Sequence, residues 1–162
     1  MQRTATCRRV RPAGEIETEA GVAVGVDGRV VGAAGGLPCE VLVDGPTIEV
    51  GESDYEPDVI VRCGSDALSG DNLAVPDAMV VVEVLSPTTR RVDVSRKLVD
   101  YFQLPSAQHY MIVFSDRVRA VHHRRAGEQI ETRIVAEGDV TLDPPGITVA
   151  LTTFYPGGEA VR

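Results

Sequence analysis

Residues 76–101, PDAMVVVEVLSPTTRRVDVSRKLVDY, constrain this chain more than any other stretch. They open with an apolar run over 79–85 that is interrupted by a single acid, Glu83. A carboxylate inside a Val-rich strand is costly to bury unless it is paired or binds a cation. A turn follows at Ser86-Pro87-Thr88-Thr89, and its hydroxyls suit a helix N-terminus. The pattern then predicts a helix over about 91–103, stopped by Leu104-Pro105. That helix sets Asp93, Lys97 and Tyr101 at i, i+4 and i+8, along one face.

A chain of 162 residues fits one domain with a normal core, and 43% hydrophobic with 25% charged residues argues against long disorder. The net charge of −8 disfavours coating nucleic acid through bulk charge, while leaving room for a local basic groove or an acidic metal site. Trp is absent and aromatics make up 4%, which speaks against a base-stacking platform. Cys7, Cys39 and Cys63 are odd in number and lack metal-ligand spacing, so they read as reduced, buried thiols of a cytoplasmic protein. No apolar run approaches the ~18 residues of a membrane span. Arg3, Arg8, Arg9 and Arg11 have no apolar segment behind them, so no signal peptide is expected.

Residues 22–34 read as two short strands around Asp27-Gly28, a hairpin signal. Gly35-Gly36 lacks both the spacing and the lysine of a phosphate loop. Residues 39–44 alternate as a strand, Gly45-Pro46 turns the chain, and 47–50 is expected to pair back on it. An acidic loop over 51–56 leads into a strand at 57–62, then a polar loop over 63–76. After the helix come an apolar strand at 110–114, a hairpin partner at 118–122, a strand at 129–135 beyond Gly127, and short final strands ending at Phe154-Tyr155. The pattern is a β-rich α+β domain with one helix.

Three residues can converge. Asp58 opens one strand, Glu83 lies late in the next long strand, and Lys97 is on the helix after it. If the strands are neighbours, the two carboxylates can share a hard cation, Mg²⁺ or Mn²⁺, and the lysine can orient water or stabilise developing charge. The bland readings are a strand-start acid for Asp58, a structural ion pair for Glu83, and a solvated lysine for Lys97. Asp93 reads as a helix-supporting partner of Lys97, and Tyr101 as core with its hydroxyl at the rim.

The segments EPDVIV at 56–61, PDAMVVVEVLSPTT at 76–89 and DVSRKLVDYFQLPSAQHYMIV at 93–113 resemble the Uma-two family of restriction-endonuclease-like proteins, within the PD-(D/E)XK nuclease superfamily. The resemblance covers about 39–155 and implies a restriction-endonuclease-like mixed β-sheet core with a flanking helix. It implies Asp58 and Glu83 as metal ligands and catalytic acids. The lysine usual two positions after the acid is replaced by Leu85, and the resemblance assigns its role to Lys97 on the helix. The segment 24–36 resembles the family's entry hairpin, with Val24 where the family has glutamate, and the long helix that should follow is reduced. The expected organisation is a divergent N-terminal segment over 1–38 and an endonuclease-like domain over 39–162. The expected function is Mg²⁺-dependent hydrolysis of DNA, with a homodimer to serve both strands; the alternative is a degenerate nuclease fold kept as a binding or dimerisation module.

Overall fold

The computed structural model describes residues 23–24, 30–31, 39–43, 45–63, 74–86 and 94–155. In chain order the strands are β1 (Ala23–Val24), β2 (Val30–Val31), β3 (Cys39–Val43), β4 (Ile48–Val50), β5 (Ser53–Tyr55), β6 (Val59–Cys63) and β7 (Ala78–Leu85). Helix α1 (Val94–Tyr101) follows, then β8 (His109–Phe114), β9 (Ala120–Ala126), β10 (Gln129–Val135), β11 (Asp139–Leu142) and β12 (Ile147–Ala150). A 3-10 helix, Leu151–Phe154, comes last.

The central sheet has the order β10-β9-β8-β7-β6-β3. β7 and β8 run parallel, joined through α1, and the other neighbours are antiparallel. β7 reads as a nearly unbroken apolar run because both faces of the sheet are covered there. On one face Val59, Val61, Val80, Val82, Met111 and Val113 pack beneath the β11–β12 hairpin and the 3-10 helix. On the other, Ile60, Val81, Leu85, Tyr110 and Ile112 pack with Tyr101 and Phe102, and with Ile48 and Val50 of the β4–β5 hairpin. The architecture is the mixed-sheet α+β core that the sequence implies.

The β1–β2 hairpin forms as expected, while Asp27-Gly28, Gly35-Gly36, Cys7 and Asp93 lie outside the described residues. Residues 47–50 do not return onto β3. β4 pairs instead with β5, inside the presumed acidic loop, through a turn in which Gly51 takes φ 61°. β3 is held in the main sheet by β6, where Val41 faces Val61 and Leu42 faces Ile60. The last expected strand is the 3-10 helix, whose Leu151 and Phe154 are buried.

The reading of Cys39 and Cys63 as thiols is also corrected. They stand directly opposite on β3 and β6, 4.0 Å apart at Cα, and form a disulfide. The bond removes the basis on which a reducing compartment was inferred. Among the described residues, no helix is long and apolar enough to cross a membrane.

Most buried polar side chains described are matched, with His123 Nε2 the exception among the described residues. The Arg62 guanidinium, 4% exposed, donates from Nε and Nη2 to Asp77, each at 2.7 Å. His109 Nε2 lies 2.9 Å from the carbonyl oxygen of Pro144 and must donate to it. Its Nδ1, 2.9 Å from His122 Nε2, therefore accepts from that ring. The relay ties the sheet to the β11–β12 turn. Burial pushes both imidazoles down to about 4.

Two predictions follow from these contacts. Reducing the disulfide opens a loop with a sequence separation of 24 and should lower unfolding free energy by about 3 kcal/mol. Urea titration with and without reductant checks it, with Cys39→Ala/Cys63→Ala as control; unchanged midpoints would refute the crosslink's role. The histidines refuse protons that the unfolded chain accepts near the ordinary 6.5, so stability should fall as pH drops from 6.5 towards about 4. His122→Leu should flatten that slope, and a wild-type profile already flat in this window would count against the buried neutral pair.

Candidate active site

β7 carries Glu83 on the helix-covered face, in step with Val81 and Leu85. Glu83 is 7% exposed. Its Oε1 accepts from Lys97 Nζ at 2.6 Å and from the Tyr101 hydroxyl at 2.7 Å. Lys97 and Tyr101 lie one helical turn apart on α1, so a single helix face supplies both donors. The Lys97–Tyr101 part of the expected face thus exists, and Tyr101 is fully buried as core. Its hydroxyl is not at a rim: it holds the carboxylate. Burial, and then the neighbouring Glu83, hold that phenol far above its ordinary value, so it stays a neutral donor.

Among the described residues no group donates to Glu83 Oε2, and that atom is not sealed from solvent. The carboxylate is therefore anchored at one oxygen and open at the other. Lys97, with 17% of its side chain exposed, lies with Nζ 5.6 Å from the Tyr55 ring centre. Tyr55 in turn donates to Asp100 and meets the Tyr101 ring edge-on at 5.3 Å. Arg96 ties the same helix to Ser53 at 2.9 Å. At the far end, Arg125 donates to the carbonyls of Phe102, Leu104 and Ala107 at 2.8–2.9 Å. α1 is thereby fixed over Glu83 from both ends.

Asp58 directly precedes β6. The register Val59↔Val82 extends to put Asp58 opposite Glu83, and strand alternation sets both on the helix side. Asp58 is exposed, and its Oδ2 accepts the Val84 N–H at 2.7 Å. This bond sets the second carboxylate beside the end of β7. Among the described residues nothing donates to its Oδ1. Leu85, where a lysine is usual, is buried in the apolar cluster, and the ammonium reaches Glu83 from α1. Among the arginines near the helix and β9, Arg125 binds the helix end, Arg96 binds Ser53 and Asp100, Arg124 is exposed, and Arg90-Arg91 lie outside the described residues.

Among the described residues no three His, Cys, Asp or Glu side chains gather into a metal cage. The available donors are carboxylate oxygens of Asp58 and Glu83. That hard, incomplete set suits Mg²⁺, which takes one or two carboxylates and fills its shell with water and substrate phosphate. Sequence reasoning missed Tyr55 and Arg125, which act on α1 rather than on a substrate; only their partners in space reveal them.

A family model described as "Putative restriction endonuclease", Uma2, matches residues 29–153. "Uncharacterized protein slr1290" of Synechocystis sp. (strain ATCC 27184 / PCC 6803 / Kazusa) is 30% identical over 129 residues, which cover 71% of this chain and 67% of that protein. The crystal structure of a "putative nuclease belonging to DUF820" from Anabaena variabilis ATCC 29413 superposes with a TM-score of 0.59 at 12% identity, over 80% of this chain and 87% of that one. At that identity the likeness concerns the fold.

The anchoring of Glu83 makes a quantitative prediction. Lys97→Met leaves a mostly buried carboxylate with one donor and should destabilise the protein by about 2–3 kcal/mol. Tyr101→Phe should cost about 1.5–2 kcal/mol. Chemical denaturation of both single variants and the double variant should show coupling. A Lys97→Met protein as stable as wild type would show that the ammonium does not hold Glu83.

Proposed function

The chain belongs to the Uma2 family, and from that premise we propose that it is a Mg²⁺-dependent endonuclease hydrolysing DNA phosphodiester bonds, with Asp58 and Glu83 as metal ligands and Lys97 as the assisting cation. The observation that carries the reading is the half-used carboxylate. Glu83 sits in an apolar strand with Oε1 fixed by Lys97 and Tyr101 and with no donor to Oε2 among the described residues, and Asp58 is opposite it across the strand pair.

Each side chain has a separate task in this reading. Tyr101 and Lys97 hold Glu83 through Oε1, so its free oxygen needs little reorganisation when a ligand arrives. The Val84 N–H does the same for Asp58. Lys97 has further donors besides the one used on Glu83, and these can hold a water for attack or meet negative charge on the phosphate. When bound, the Mg²⁺ ion would supply charge neutralisation at the phosphate and acidify a water. The acidic whole, at −8, means that contact with DNA depends on this local arrangement rather than on bulk attraction.

The test is plasmid cleavage with Mg²⁺ or Mn²⁺, alongside melting with and without Mn²⁺. Wild type should cut and its melting temperature should rise with metal. Glu83→Ala and Asp58→Ala should lose both effects. Lys97→Ala should keep a metal-dependent shift but cut about 10²-fold or more slowly. A folded wild type that neither cuts under any of these conditions nor shifts with Mn²⁺ would overturn the proposal.

A further inference from the structure

Among the described residues β10 is the outer strand of the main sheet and pairs with β9 alone. Every residue from Gln129 to Ile134 is exposed, including Ile130 at 41% and Ile134 at 72%. The paired residues Ala126 and Gln129 flank the two-residue loop Gly127-Glu128. That closure makes them a hydrogen-bonded pair, and such pairs alternate along an antiparallel ladder. Ile130, Thr132 and Ile134 therefore direct their N–H and C=O groups away from β9, towards the open edge.

The sequence of this edge is its own antiparallel complement. Read outward from Thr132, Ile130 matches Ile134 and Glu131 matches Arg133. We propose that β10 is a homodimerisation edge, where a second copy of this chain adds its own β10 antiparallel about a two-fold axis at Thr132. Pairing in that register joins the outward groups of Ile130, Thr132 and Ile134 to those of Ile134, Thr132 and Ile130 in the partner, ~six backbone hydrogen bonds. On one face the exposed isoleucines cover each other across the axis. On the opposite face Glu131 meets Arg133 twice, once on each side.

The register is specified. Moving the centre by one residue sets Glu131 against its own copy, or Arg133 against its own copy, and like charges directly opposite are destabilising. Charges on an edge strand ordinarily discourage pairing. Here their order repels the slipped registers and attracts one. Pairing at this edge is independent of any nuclease activity.

Light scattering after size exclusion, over a range of concentrations, tests it on the full chain. Wild type should run at twice the 17.3 kDa chain mass. Arg133→Glu, which sets Glu against Glu twice, should weaken association at least tenfold. Ile134→Lys should do the same, and since Ile134 is 72% exposed that variant loses no core packing. Glu131→Arg combined with Arg133→Glu reverses the charges and should restore the dimer. A monomeric wild type, a dimer unmoved by Ile134→Lys and Arg133→Glu, or a folded double variant that stays monomeric would each overturn the proposal.

Discussion

The contact on which this structure turns is the one between Glu83 Oε1, the Lys97 ammonium and the Tyr101 hydroxyl. Glu83 lies on the strand between two neighbours of opposite sense, antiparallel β6 and parallel β8. Its face of the sheet is roofed by α1. An acid there obliges the roof to supply donors, and α1 supplies two from consecutive turns. The rest of the helix environment follows from that demand. Tyr55 binds Asp100, Arg96 reaches Ser53, and Arg125 collects the carbonyls beyond the helix end. These contacts keep eight helical residues in place over a strand that would otherwise carry an unmatched charge.

Stability alone does not explain this arrangement. Replacing a buried ion pair with apolar side chains of similar volume is often neutral or favourable, because desolvation of two charges offsets much of their attraction. The surroundings here are well suited to such a replacement: Val81, Leu85, Tyr110 and Ile112 already form the floor. In the proposed function the pair serves to position a metal ligand rather than to pack the core. The position of Leu85 fits the same logic. It shares the face of Glu83 but is sunk in the apolar cluster, where an ammonium would lose its hydration with no carboxylate aligned to receive it. Lys97 approaches from the helix, keeps part of its side chain in solvent, and still meets Glu83 at 2.6 Å.

Much of this could be read from the chain. The run 79–85 announced a strand covered on both sides, Gly127 announced the turn before Gln129–Val135, and the i, i+4 spacing of Lys97 and Tyr101 set both on one ridge. The opposition of Asp58 and Glu83 was conditional on strand neighbourhood, which local pattern does not carry, and the β6–β7 register supplies it. The errors have the same origin. Glu52, Asp54 and Glu56 made 51–56 look like an acidic loop, yet Ser53–Tyr55 is a strand because Gly51 closes a tight turn and Ile48 and Val50 are buried. Cys39 and Cys63 looked unrelated because their opposition depends on which strand β3 selects. Arg125 was missed because its three carbonyl partners lie far back in sequence.

The two outer strands of the main sheet show how one chain treats two edges differently. β3 is five residues long and is stitched to β6 by a covalent bond between directly opposed residues. Its register cannot slip without breaking that bond. β10 is seven residues long, pairs on one side among the described residues, and carries Ile134 largely exposed on the helix-side face. An exposed apolar edge of that length invites uncontrolled pairing unless something discriminates among registers. Alternating Glu131 and Arg133 discriminate, because their reversal symmetry about Thr132 favours one antiparallel arrangement and penalises its neighbours. A strand protected only against aggregation has no need of that symmetry; like charges would serve as well. In the proposed dimer the order of charges on β10 belongs to an interface rather than to a solvated margin.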